Sequence, residues 1–114
     1  MPELPEIETT CRGISSHIKN KTICRVIVRN GRLRWPVPAD LNAILQQHKV
    51  CDIERRAKYI LIYFDHGCLI IHLGMSGSLR FVSDNIPPTI HDHVDLVFTS
   101  GNSLRLRDPR RFGS

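Results

Sequence analysis

Long apolar runs are missing from this 114-residue chain. No stretch approaches the roughly 20 apolar residues that cross a bilayer as a helix. The polar, acidic start, Met1-Pro2-Glu3-Leu4-Pro5-Glu6, lacks the basic and then apolar order of a secretion signal. There is also no internal repeat and no low-complexity tract, which excludes solenoids and disordered tails. Cysteine is sparse and scattered: Cys11, Cys24, Cys51 and Cys68 stand singly, without a C-x-x-C pair. Zinc held by cysteine is therefore not expected, and reduced thiols in a cytosolic protein are. Acidic residues are outnumbered 11 to 16 by Lys and Arg, a formal charge of +5 that favours an anionic partner, nucleic acid first. The length suits one small domain that buries roughly two thirds of its unfolded surface.

Periodicity supplies the elements. Ile7, Cys11, Ile14 and Ile18 fall on one helical face, with Gly13 a weak point in it. Thr22 to Arg29 is rich in β-branched residues and stops at the turn pair Asn30-Gly31. After Pro36 and Pro38, Asp40 is placed to cap a short helix carrying Leu41, Ile44 and Leu45. Tyr59 to Phe64 and Cys68 to Leu73 form a hairpin about Asp65-His66-Gly67, and Leu79 to Val82 adds a strand. Beyond Pro87-Pro88, Val94 to Phe98 and Leu104 to Arg107 flank Thr99-Ser100-Gly101-Asn102 as a second hairpin. The fold expected is mainly β with flanking helices: a two-layer antiparallel sandwich or flattened barrel.

The first six residues carry the most chemistry. An initiator Met before a small residue is normally removed, which makes Pro2 a free secondary amine. Amino termini have a pKa near ~8 against ~10.4 for lysine, so about a tenth are neutral at pH 7. A neutral amine can attack an electrophilic sugar or carbonyl carbon and hold it as an iminium. With Met1 retained, the Pro2 nitrogen is a tertiary amide and this chemistry is closed. Pro5 equally suits the first position of a helix, with Glu6 and Glu8 at its positive end.

Four further segments bear on an anionic partner. Arg55-Arg56-Ala57-Lys58 puts three cations at a strand mouth, fit to track phosphates or to let Lys58 move a proton. His72-Leu73-Gly74-Met75-Ser76-Gly77-Ser78 offers an apolar tip, Met75, on a flexible frame, either a wedge between bases or a core contact. In Asp108-Pro109-Arg110-Arg111-Phe112, guanidinium groups stand beside a ring that can wedge into a duplex. His91-Asp92-His93 offers two histidines without a third ligand, a better match to phosphate contact than to a metal.

Together, the PELPE start, RRAKY, IHLGMSGSLR, HDHVDL and DPRRFG closely resemble the bacterial formamidopyrimidine-DNA glycosylases, and the resemblance runs over all 114 residues. Leu4, where the related endonuclease VIII branch typically has Gly, favours the oxidised-purine branch over the oxidised-pyrimidine one. The resemblance implies a base-excision-repair glycosylase with AP lyase activity that removes 8-oxoguanine and formamidopyrimidines. By position, Pro2 is the nucleophile that forms a Schiff base at C1′ and Glu3 the acid that helps open the sugar. Lys58 is the proton donor for β-elimination and Glu6 a support of the site. Met75, Arg110 and Phe112 fill the gap left by a flipped nucleotide, and His72, His91 and Arg110 touch DNA. The partner implied is double-stranded DNA with an oxidised purine or abasic site, met by a cytoplasmic, nucleoid-associated monomer without a membrane.

Members of that family are more than twice as long. Their second half carries a helix–two-turns–helix element and a four-cysteine zinc finger. Residues 1–114 are thus expected to be the amino-terminal β-sandwich domain alone, with no metal or cofactor of its own and one zinc in the remainder. As a separate piece it is expected to bind DNA weakly and turn over poorly. The alternative from another class is a non-enzymatic basic DNA-binding module, which has no need of Pro2, Glu3 and Lys58 together.

Overall fold

The computed structural model describes residues 4–29, 40–72, 78–83, 86–88 and 92–107. Ile7, Cys11, Ile14 and Ile18 are all buried, so Leu4–Ile18 winds as an amphipathic helix, α1. Pro5 falls in its first turn, where an N–H would lack an intrahelical partner anyway. Gly13 stays helical on the exposed side with open space around it. The helix stops at Asn20, whose φ of 68° is a left-handed geometry that Asn tolerates. The Asn20 N–H then donates to the Val50 carbonyl at 2.8 Å.

In chain order there follow β1 (Ile23–Val28), α2 (Leu41–Leu45), β2 (Asp52–Arg56), β3 (Tyr59–Phe64) and β4 (Gly67–His72). Then come β5 (Ser78–Ser83), β6 (Asp92–Phe98) and β7 (Asn102–Arg107). They build two antiparallel sheets, one ordered β1-β6-β7-β5 and the other β2-β3-β4. Ile60, Ile62 and Ile71 of the smaller sheet share one core with Leu79, Leu96, Phe98 and Leu104 of the larger. Each such aliphatic or aromatic side chain, fully buried, contributes about 1.5–3 kcal/mol. Helix α1 packs against strands of both sheets, β2 and β3 on one side and β5 on the other, and α2 lies on β1. The expected two-layer sandwich with flanking helices is the architecture found. No described helix is long and apolar enough to cross a membrane.

Two local expectations need correction. Asp40 stands at the amino end of α2 but its side chain makes no capping bond. Its φ and ψ of −98° and 14° are not the extended geometry from which a cap reaches back. The Asn42 side chain ties α2 to β1 instead of capping the helix, its Oδ1 accepting from the Val26 N–H at 2.7 Å. Of the three apolar residues the helix carries, Leu41 and Leu45 are buried and Ile44 is 41% exposed. The second correction is an additional strand. β2 is mostly polar and only Ile53 of its five residues is buried, so its sequence gives no apolar alternation to detect.

Candidate catalytic and nucleic-acid site

The turn that carries Lys58 is set by strand register. Arg56 pairs with Tyr59, which leaves Ala57 and Lys58 as a two-residue hairpin loop. Such loops need a positive φ at the first central residue, and Ala57 has φ 53°. For a residue with a Cβ that geometry costs about 1–2 kcal/mol. A hydrogen bond from Arg55 Nη1 to the Ala57 carbonyl at 2.9 Å holds it. Lys58 therefore sits at the tip, half-buried. Its neighbour Tyr59 pairs across β3 and β4 with His72, the two rings 5.0 Å apart. Lys58 and His72, 14 positions apart in sequence, thus reach the same end of the smaller sheet.

Helix α1 is aligned with that end by two ion pairs. Lys19 Nζ lies 3.7 Å from Asp52 Oδ1 at the start of β2, and Glu8 Oε1 lies 3.5 Å from Arg55 Nε near its finish. Helix and strand consequently run antiparallel. The amino end of α1, with its partial positive charge, points toward the Lys58 turn. Beneath these pairs Cys11 is buried, and its thiol is pushed up by that burial and then by the Glu8 charge.

The other two cations of the strand mouth are engaged within the fold. Arg55 is turned against α1 by Glu8, and Arg56 Nη2 bonds Glu54 Oε1 at 2.8 Å. The Tyr63 hydroxyl donates to the same Glu54 oxygen at 2.5 Å, and that bond raises the Tyr63 pKa. Of the Arg55-Arg56-Lys58 set, Lys58 is the member at the loop tip.

A second polar arrangement lies on the larger sheet. Asp95, from HDHVDL, pairs across β6 and β7 with Arg105, and both are buried. Arg29 bonds the same carboxylate at 3.0 Å. Arg105 also donates to the carbonyls of Ile86 and Pro87, at 3.0 and 3.4 Å, which fastens the 86–88 segment to the sheet. Burial opposes ionisation of Asp95, but the bonds from Arg29 and Arg105 outweigh it and hold the carboxyl below its ordinary range. Neither Asp95 nor Arg105 was singled out by sequence. A charged residue in mid-strand, flanked by apolar ones, was the available signal.

Of the sequence-predicted site residues, Lys58 and His72 are brought together. Glu6 is in the first turn of α1 by its backbone, and its side chain lies outside what the structure describes. Pro2, Glu3, Met75, His91, Arg110 and Phe112 lie outside the described residues, as do the side chains of Asp92 and His93. Cys11 is buried, Cys24 half-buried, and Cys51 and Cys68 exposed. None of the four joins a metal-ligand cluster among the described residues.

Comparison with known proteins identifies the family and the fold. The formamidopyrimidine-DNA glycosylase N-terminal domain matches residues 1–114. The chain is 56% identical over 114 residues to the formamidopyrimidine-DNA glycosylase of Syntrophotalea carbinolica, and 59% identical over 113 residues to that of Methylococcus capsulatus. In each case it spans 42% of the relative's length. Among solved structures, the Lactococcus lactis enzyme in complex with DNA containing N7-benzyl-Fapy-dG superposes with a TM-score of 0.89. The identity is 30%, over 99% of this chain and 42% of that one. The same enzyme bound non-covalently to DNA with an AP site gives 0.90 at 30% identity, over 99% and 44%. With the family's domain matched over residues 1–114 and the fold shared with its solved members, the chain belongs to the formamidopyrimidine-DNA glycosylase family through its amino-terminal domain.

Proposed function

We propose that this chain is the catalytic β-sandwich domain of a DNA glycosylase with AP lyase activity that removes oxidised purines, 8-oxoguanine and formamidopyrimidines, from double-stranded DNA. Pro2, freed of Met1, attacks C1′ of the damaged nucleotide and carries it as a Schiff base. Glu3 protonates the opening sugar, with Glu6 supporting it by hydrogen bonding. Lys58 supplies the proton for β-elimination and touches phosphate. His72, His91 and Arg110 contact the DNA. Met75, Arg110 and Phe112 occupy the space vacated by the flipped nucleotide. The protein works as a cytoplasmic monomer, and the remainder of its relatives' length supplies further DNA grip.

The observation that carries this reading is the antiparallel alignment of α1 with β2, fixed by Glu8–Arg55 and Lys19–Asp52. It directs the amino end of α1 toward the turn that bears Lys58. Pro2 precedes Leu4 by two residues, a chain reach of about 7 Å. That reach supports a nucleophile at Pro2 and a proton donor at Lys58 acting on the same nucleotide.

The test is borohydride trapping with protein in excess over duplex DNA bearing an abasic site, followed by mass spectrometry of the amino-terminal peptide. The expected result is a covalent adduct on Pro2. A chain shown to begin at Pro2, and shown by gel shift to be bound to the abasic duplex, that forms no adduct would overturn the proposal.

A further inference from the structure

The turn between β3 and β4 holds another polar cluster, at the opposite end of the smaller sheet from Lys58. At ~3.3 Å per residue, the length of β3 separates the two by about 20 Å. Asp65 and His66 come from the turn, and His48 from the segment between α2 and β2. His48 Nδ1 lies 3.0 Å, and His66 Nδ1 3.1 Å, from the same oxygen, Asp65 Oδ1. The two imidazoles are stacked with centroids 3.8 Å apart. His66 Nε2 lies 2.9 Å from the Ile44 carbonyl oxygen.

The hydrogen bonds at His66 fix which ring nitrogen faces Asp65. A carbonyl oxygen only accepts, so Nε2 carries the hydrogen and donates to Ile44. A neutral imidazole has one N–H, which leaves Nδ1 as a lone pair. That lone pair faces Asp65, a second acceptor. Two acceptors this close require either a second proton on the ring or a metal ion between them. A ring whose remote N–H is fixed by a backbone carbonyl is the arrangement usual for a metal-ligating histidine.

We propose that His48 Nδ1, His66 Nδ1 and Asp65 Oδ1 form a three-ligand site for a divalent transition ion of the zinc class, with water completing its coordination. The three ligand atoms already lie within 4.8 Å of one another. Bonds of ~2.0–2.2 Å in a tetrahedral set put neighbouring ligand atoms about 3.4 Å apart. The contacts to Asp65 must therefore open by a few tenths of an ångström, and the near-parallel imidazoles, 18° apart in plane, must turn until both Nδ1 atoms face one ion. The side chains, 34%, 71% and 37% exposed for His48, Asp65 and His66, have room to do so. Two imidazoles and one carboxylate suit zinc, nickel, cobalt or copper, and not magnesium or calcium, which take all-oxygen sets. The site is independent of the glycosylase chemistry.

The test uses the 114-residue chain with Cys51→Ser and Cys68→Ser, so that the exposed thiols do not compete. Zn²⁺ is titrated by calorimetry, and imidazole nitrogen resonances are followed by NMR. One equivalent is expected to bind and to shift the Nδ1 signals of His48 and His66. His17, which stacks on Phe81 elsewhere, stays unmoved. His48→Gln and His66→Gln, each checked for a native spectrum, should weaken binding by about tenfold or more, the loss that even an outer-shell change brings. The proposal is overturned if neither imidazole responds to Zn²⁺, or if binding is undiminished in both variants. A proton alone would then bridge His66 and Asp65.

Discussion

Asp95 and Arg105 face each other across β6 and β7 and are joined by a two-pronged bond, Nε to Oδ1 at 3.0 Å and Nη2 to Oδ2 at 3.1 Å. Their side chains are 2% and 3% exposed. Because Arg105 also holds the carbonyls of Ile86 and Pro87, the pair couples the centre of the larger sheet to the segment ahead of His91.

Breaking this pair on one side should cost far more than removing it whole. Arg105→Leu leaves Asp95 buried with Arg29 as its remaining partner, an expected loss of about 3–5 kcal/mol. Asp95→Leu with Arg105→Leu should be milder, since no charge is stranded between the strands. Urea unfolding of both variants checks this. A single variant no less stable than the double would refute it.

The same carboxylate sets an acid limit. Its folded pKa lies below the ordinary carboxylate value, so its contribution is complete above the unfolded pKa of ~3.9. That contribution is lost as pH falls from there through the depressed folded value. Urea midpoints should therefore drop steeply below about pH 4 in the parent chain and less steeply in Asp95→Asn. Parallel profiles for the two would place the acid sensitivity elsewhere.

Lys58→Gln separates the two halves of the proposed chemistry. Schiff-base trapping on Pro2 should survive, whereas strand cleavage by β-elimination should slow by about 10²–10⁴, the range for a lost general acid. Trapping and cleavage are read from the same reaction on denaturing gels. Equal loss of both would instead make Lys58 a binding residue.

Thiol reactivity should rank by environment. Cys51 is exposed and should alkylate first. Cys68 is exposed too, but partial desolvation and then the Glu54 charge raise its pKa, so it should follow. Cys11, buried under α1, should react only on unfolding. Peptide mapping after timed iodoacetamide treatment gives the order, and early labelling of Cys11 would contradict the packing described.

The chain states its apolar elements openly and its polar relationships poorly. The four buried positions of α1 repeat at helical spacing, and β3, β4, β6 and β7 are apolar runs between turn residues, so all could be placed in advance. β2 could not, because four of its five residues are charged and only Ile53 enters the core. The Lys58 motif was legible, yet the loss of Arg55 and Arg56 to Glu8 and Glu54 was not. Arg29 bonds Asp95 over 66 positions, and His48 meets Asp65 over 17. Partners that far apart leave no mark on local spacing.

The order of strands has a consequence for how the chain reaches its fold. β2, β3 and β4 close through two successive two-residue turns, so the smaller sheet can assemble as soon as His72 has left the ribosome. β1 has no such neighbour: its partner is β6, near the other end of the sequence. Pairing across so large a loop is slow. Until Phe98 has been made, the edge of β1 that meets β6 therefore stays unpaired, with α2 and the segment after it the neighbours β1 already has. That interval, rather than any step in the hairpin sheet, is when a nascent chain is most exposed to aggregation and most in need of a chaperone.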